Sequence, residues 1–416
     1  MDEEIYITDI NINKVRNIEN FDIHISDTEK KHLIITGKNG SGKTSLLVEI
    51  KNFLNASPLA YAYYKDLFNS KDVLSLLNRK NNLSLAEDIK KKEYEKLQKT
   101  IKAYKYKAKY FGKTKVHFCN KEELFDYNIY KKFIFAFFGA KRDISLKIPT
   151  GINKIDIKPK YDIEEKAGND FIQYIVNLKA DRSFAKDDND LETVNKIDEW
   201  FKIFEENLFK IFDTKDVELE FDRKSYNFNI VEKGKEPYNL TQLSDGFSSI
   251  LNIVTDLIMR MEIHKTKSYD VQGVVLIDEI ETHLHVDLQK KIFPFLTSFF
   301  PKIQFIVTTH SPFVITSIEN AVICDLEKRI VTTDLSGYSY EDIIESYFDS
   351  DKYSSVLKLK VEKYELLMDK DNLNKTEEKN LLELEEYLKN LPKLYSEELE
   401  LKIQQIKLKK IGKRIK

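Results

Sequence analysis

Residues 33–48 read LIITGKNGSGKTSLLV, and few folds accommodate such a stretch. An apolar run, Leu33 to Thr36, feeds a loop with three of the chain's 12 glycines and then an apolar helical stretch. This is the spacing GxxxxGK[ST] in strand–loop–helix context. Glycine at Gly37, Gly40 and Gly42 permits torsions that a β-carbon forbids, so successive N–H groups can turn toward phosphate oxygens. The helix N-terminus adds its positive end. The candidate nucleotide contacts are Gly37, Asn39, Gly40, Ser41, Gly42, Lys43, Thr44 and Ser45. Lys43 is expected to reach the β- and γ-phosphates of ATP, and Thr44 to ligate Mg²⁺.

Two further strand-end motifs belong with this loop. VVLIDEIETHLH (274–285) is an apolar strand ending in Asp278 and Glu279. A carboxylate at a strand end lies at the ligand-binding edge of a parallel sheet. Asp278 is expected to hold Mg²⁺ through water, and Glu279 to act as base toward an attacking water. IQFIVTTHSP (303–312) is another buried strand, and His310 after it can hydrogen-bond a γ-phosphate. A fourth stretch, LSDGFSS (243–249), precedes an apolar helical run.

Composition narrows the setting. The chain has 416 residues, 42% of them hydrophobic, enough for two or three structural units. Cys119 and Cys324 are its two cysteines and have no metal-ligand spacing. No basic leader with an apolar core is evident, and no run has the length of a membrane span. These features predict a cytoplasmic protein without membrane contact. Net charge is −2, but Lys90 to Lys109 carries nine lysines against two glutamates, and Lys402 to Lys416 carries only basic charges. Such runs are ordinarily solvated helix faces, and they are also the places where DNA or RNA could be met.

Taken together, GKNGSGKTSLL, LSDGFSSIL, LIDEIETHLH and IVTTHSP resemble the ABC-type ATPase heads of the structural-maintenance-of-chromosomes, RecF and overcoming-lysogenization-defect group. The opening YITDININKVRNIENFDIHIS is similar to that group's first strands, and Arg16 matches a basic residue near the nucleotide. The resemblance implies an α/β fold: a P-loop ABC-type ATPase head with a mixed sheet flanked by helices, an antiparallel N-terminal lobe, a helical insertion and a helical C-terminal region. It implies a homodimer that sandwiches ATP, with Ser244 and the Gly246 amide meeting the γ-phosphate on the partner head. Asp245 fits that role only with its carboxylate turned away from phosphate. Lys141 and Arg142 stand where a glutamine loop is expected and are candidates for phosphate or lobe-coupling contacts. Pro294 should kink a helix or restart one.

About 200 residues separate the phosphate loop from LSDG, unlike membrane-transporter heads. The expected division is head (1–65), helical insertion (66–130), glutamine-loop-like head segment (131–150), helical insertion (151–214), head with signature, acid pair and histidine (215–335), and helical C-terminal region (336–416). Ser84 to Glu87 should cap a lysine-rich helix. Trp200 is expected in a core stripe, and VELEFD with YNFNIVE in a hairpin. Asp349-Ser350-Asp351 lacks the apolar strand of a Toprim nuclease, and no histidine follows His310 to build an HNH site. This profile is similar to the stand-alone ATPases of anti-phage systems, the PtuA-like subunits of Septu and some retrons. That resemblance implies an ATP-driven switch for a separate nuclease, most simply of HNH type. The alternatives are a RecF-like DNA-binding repair ATPase and a scaffold that holds ATP without turnover.

Overall fold

The computed structural model describes residues 4–67, 113–120, 124, 133–142, 146–212, 217–263, 269, 271–333, 335–338, 343, 355–370, 372–389, 401, 403–406 and 408. They belong to two units, Met1–Tyr338 and Ser339–Lys416. The expected lysine-rich helix with its Ser84 cap and the Asp349-Ser350-Asp351 triplet lie outside the described residues.

In the first unit, β1 (Ile7–Val15) buries Ile10 and Ile12 and pairs antiparallel with β2 (Ile18–His24). The wholly buried β3 (His32–Thr36) then leads through the glycine loop into α1 (Lys43–Leu67). β4 (Thr114–Phe118) returns to pair antiparallel with β1, so the first sheet has the order β2–β1–β4. β4 falls within 66–130, the stretch expected to be a helical insertion. Thr114 and Val116 are buried while Lys115 and His117 are exposed, a period of two over only five residues.

β5 (Ile134–Phe138) begins the central sheet. α2 (Phe171–Asp187) and α3 (Leu191–Phe209) follow, with Asp190 capping α3 by accepting from Thr193 N at 3.1 Å. β6 (Val217–Asp222) and β7 (Asn227–Glu232) form the expected hairpin, and β8 (Tyr238–Asn239) pairs with β7. Next come α4 (Asp245–Glu262), β9 (Gly273–Ile277), α5 (Val286–Phe299), β10 (Ile303–Thr308), α6 (Pro312–Ile315), β11 (Ala321–Asp325) and β12 (Ile330–Thr333). Pro294 lies inside α5, which continues through it, so the restart reading does not hold. Trp200 is half-buried in α3, stacks on Phe204 and donates to Glu262 at 3.1 Å.

The central sheet has the order β12–β11–β3–β10–β9–β5, parallel except for edge strand β12. β3, β9 and β10 bury every residue, as strands covered on both faces do. Leu33, Ile35, Leu276 and Ile306 pack with Leu46, Leu47 and Ile50 of α1 and with Ile10 and Ile12 of the antiparallel sheet. On the other face, Phe305 meets Phe293 of α5 edge-on. The expected α/β class is observed: a mixed sheet flanked by helices, with an antiparallel sheet from the N-terminal strands. In the second unit, α7 (Ser355–Asp369) and α8 (Lys375–Lys389) share a core of Val361, Tyr364, Leu367, Leu384 and Leu388.

His32 has a consequence for stability. It is buried, its ring touches Phe293 and Phe305, and its Nδ1 accepts from Phe305 N at 3.0 Å. Burial, aided by the Lys30 charge, pushes the imidazole down to about 3. The folded chain therefore keeps His32 neutral where the unfolded chain protonates it. This contribution is complete above the unfolded value of 6.5 and is lost as pH falls toward 3. Wild type should lose up to about 1.4 kcal/mol more per pH unit in that window than His32→Gln. Denaturant titrations from pH 7 to 4 check this; parallel stability curves would count against it.

Candidate functional site

Parallel strands that end on one edge bring their C-terminal loops together. Here β3 delivers the glycine loop, β9 delivers Asp278 and Glu279, and β10 delivers Thr308, Thr309 and His310. β10 lies between β3 and β9, with Val307 level with both Ile34 and Ile277. The acid pair is therefore one strand removed from the loop, and β10 contributes the bridge. Thr308 Oγ1 donates to Asp278 Oδ1 at 2.6 Å and accepts from Glu279 N at 2.7 Å. Thr44 Oγ1 donates to the same Asp278 oxygen at 3.1 Å. The Thr308 hydroxyl thus links both acids, a role the sequence reading did not assign to it.

The loop has the backbone expected of it. Gly37, Gly40 and Gly42 have φ values of 134°, 84° and 102°. A β-carbon on Gly37 would lie 2.9 Å from Ser41 Oγ, and one on Gly42 would lie 3.2 Å from Ile18 Cδ1. Lys43 is buried, and its Nζ donates to Gly37 O at 2.7 Å and Lys38 O at 3.1 Å. Burial holds its ammonium below the usual lysine range, while Glu279, Glu281, Asp278 and Asp325 oppose that shift. Asn39 and Gly40 are exposed, Ser45 is half-buried at the start of α1, and Thr44 is exposed. Ser41 Oγ is buried without a hydrogen-bond partner.

These features fit a polyphosphate and a magnesium ion. The loop presents flexible-backbone positions and an unsatisfied hydroxyl, and Thr44 with Asp278 offers the hard oxygen donors that magnesium takes. A separate surface group, Asp9, His24 and Asp27, could also gather a cation. Its His24 Nδ1 lies 2.8 Å from Asp9 Oδ1, and that bond raises the imidazole above its ordinary value.

His310 is held by its backbone, whose N–H donates to Glu281 Oε1 at 2.5 Å. Burial and the Lys43 charge lower its imidazole from 6.5, against the pull of Glu281, Glu279 and Asp278. It is neutral at pH 7 and can donate one hydrogen bond. Glu281 was not singled out in the sequence, although it stands two residues after Glu279. Its Oε2 is buried without a partner. Arg16 is exposed in the β1–β2 turn, two residues before the Ile18 side chain that lies against Gly42.

The LSDG stretch is built differently. Ser244 is the N-cap of α4, its hydroxyl makes no capping bond, and Ser244 and Asp245 are exposed. Gly246 is buried, and a β-carbon there would lie 3.0 Å from His283 O. Phe247 stacks on Phe212 with centroids 4.4 Å apart. The stretch joins the acid loop through Arg142, whose Nε donates to Ser249 Oγ at 2.9 Å and whose Nη2 donates to Glu279 O at 2.7 Å.

Comparison with known proteins follows this geometry. Residues 144–316 match the family described as "AAA domain, putative AbiEii toxin, Type IV TA system". The chain is 33% identical over 165 residues to "Septu protein PtuA" of Bacillus mycoides (strain KBAB4), covering 37% of this chain and 23% of that protein. It is 36% identical over 140 residues to "Retron Ec83 probable ATPase" of Escherichia coli, covering 31% of this chain and 26% of that one. Over 378 residues it is 24% identical to "Retron Vc95 probable ATPase" of Vibrio cholerae serotype O1 biovar El Tor, covering 73% and 72%. The matches thus span 23% and 26% of the first two relatives and most of the third. No helix among the described residues is long and apolar enough to cross a membrane. Residues 144–316 are thus similar to an AAA domain family, and parts of the chain are similar to proteins named Septu PtuA and retron ATPases.

Proposed function

We propose that the chain binds and hydrolyses ATP on this sheet edge, and that it closes head to tail with a second copy around the nucleotide. One observation carries the reading. Lys43, Thr44, Asp278, Thr308, Glu279 and His310 meet at the ends of neighbouring parallel strands, linked by hydrogen bonds or by charge. The loop amides and Lys43 take the phosphate charge. Thr44 and Asp278 would hold magnesium, which would supply positive charge to the phosphate group. Glu279 receives the proton of the attacking water. Neutral His310 donates to the γ-phosphate and loses that partner once phosphate leaves. In the closed pair, Ser244 and the Gly246 amide of one copy complete the site of the other, and Arg16 stands at its rim.

ATP then closes the pair and hydrolysis reopens it. Following the resemblance of the sequence to stand-alone anti-phage ATPases, the proposed switch serves a defence complex and controls a separate nuclease, most simply of HNH type. The chain itself needs no second catalytic domain for this role.

Purified wild-type chain should bind ATP with magnesium and double its mass by light scattering. Lys43→Ala should weaken ATP binding at least about tenfold, roughly one lost charge-assisted hydrogen bond, and should stay monomeric. Equal ATP binding by both proteins would defeat the nucleotide reading. A constant mass with bound ATP would defeat the sandwich. Affinity purification with neighbouring gene products should recover a nuclease in stoichiometric amount.

A further inference from the structure

Arg142 lies four residues beyond β5 and is 7% exposed. Its guanidinium has no carboxylate in direct contact among its described hydrogen bonds. Nε donates to Ser249 Oγ at 2.9 Å, Nη1 to Asp278 O at 3.3 Å, and Nη2 to Glu279 O at 2.7 Å and Ile280 O at 3.3 Å. Burying a guanidinium costs several kcal/mol unless its donors are satisfied. Here three successive carbonyls and one hydroxyl engage four of its five N–H donors. Burial lowers the group to about 10, with Glu281, Asp278 and Glu279 opposing, so it stays charged at neutral pH.

The middle carbonyl belongs to a strained residue. Glu279 has φ 46°, in the left-handed region, where the β-carbon of a non-glycine residue crowds the following carbonyl oxygen. Such a residue persists where its surroundings over-determine it. Thr308 holds the amide side, through Glu279 N to Oγ1 and Ile280 N to its carbonyl at 3.1 Å. Arg142 holds the carbonyl side. The same guanidinium grips Ser249, on the second turn of α4, whose first residue follows Ser244. A planar fork with fixed donor directions transmits a displacement better than a flexible ammonium. A shift of about half an ångström in α4 lengthens the Ser249 bond beyond good geometry.

We propose that Arg142 is a positioning residue that ties the placement of the signature helix to the backbone conformation carrying Glu279. Engagement of Ser244 and Gly246 by a second copy's nucleotide is thereby felt at the hydrolytic carboxylate. This rests on the hydrolytic role proposed for Glu279. It gives Arg142 a coupling role and no contact with phosphate.

The test uses Arg142→Lys, Ser249→Ala and Ser249→Thr in the full chain, read by steady-state ATP turnover and by amide hydrogen exchange. Arg142→Lys should lower kcat at least about tenfold with KM within about threefold, and should speed exchange at residues 279–282. Ser249→Ala should lower kcat about three- to tenfold, Ser249→Thr should restore it, and Arg142→Lys with Ser249→Ala should be no worse than Arg142→Lys alone. Multiplicative losses in the double variant, or a KM rise that accounts for the whole effect, would overturn the proposal. If Arg142→Lys does not fold, the two Ser249 variants carry the test. If wild type shows no turnover, the hydrolytic reading fails; faster exchange at 279–282 in Ser249→Ala still supports the link, and unchanged exchange overturns it.

Discussion

Glu279→Gln should lower ATP turnover by at least about a hundredfold, within the range by which a positioned general base accelerates proton transfer, while ATP affinity changes little. Glutamine preserves the volume and cannot accept the proton. The backbone should not move, because the contacts that place residue 279 are made by its N–H to Thr308 and its carbonyl to Arg142. Neither involves the carboxylate. The variant should therefore keep the ATP-bound, doubled-mass species long after wild type has turned over its nucleotide and reopened. Turnover and equilibrium binding, measured on the same preparation, separate the two effects. Turnover within about threefold of wild type would remove Glu279 from the base role.

The second large effect concerns the helix that carries the signature. Asp256 and Arg260 face each other inside α4, with side chains 5% and 4% exposed and Arg260 Nε donating to Asp256 Oδ1 at 2.5 Å. Burial raises the Asp256 carboxyl and the Arg260 charge opposes that shift. Asp256 also accepts from Gly168 N at 3.2 Å, and Arg260 donates to Phe135 O at 3.2 Å, to Asp162 O at 3.0 Å and to Glu165 O. Gly168 is needed there, since a β-carbon would lie 2.8 Å from Asp256 N. Asp256→Ala leaves a buried cation without its counter-charge and should cost about 3–5 kcal/mol. Asp256→Ala with Arg260→Met should recover part of this by removing the cation, though three carbonyls then lose a donor. Chemical unfolding of the three proteins decides; a single-variant loss below about 1 kcal/mol would show the pair to be dispensable.

The phosphate loop was legible because it is local. Glycines at fixed offsets between an apolar strand and an apolar helix specify a backbone within some ten residues, and Gly37, Gly40 and Gly42 have the positive φ values such a loop requires. The β6–β7 hairpin and the wholly buried strands were legible for the same reason, since apolar runs and period-two alternation state their own burial. β4 was not. Five residues after a lysine-rich stretch say little alone, and pairing with β1, some hundred residues earlier in the chain, makes them a strand. Pro294 left a kink or a restart open; α5 does not restart there, since Phe293 and Leu296 hold it in the core on both sides of the proline.

The sequence by itself marked the candidates for phosphate contact: Lys43 and Thr44 open a helix after the glycine loop, and Asp278, Glu279 and His310 follow largely apolar strands. The tertiary structure alone decided how they are connected. Insertion of β10 between β3 and β9 places the Thr308 hydroxyl between the acids and the His310 amide against Glu281, and pairing of β5 with β9 brings the Arg142 guanidinium between α4 and the acid loop. Strand order and side-chain hydrogen bonds join residues from 29 to 137 positions apart, and no local pattern of apolar and polar residues encodes which partner a buried donor will find.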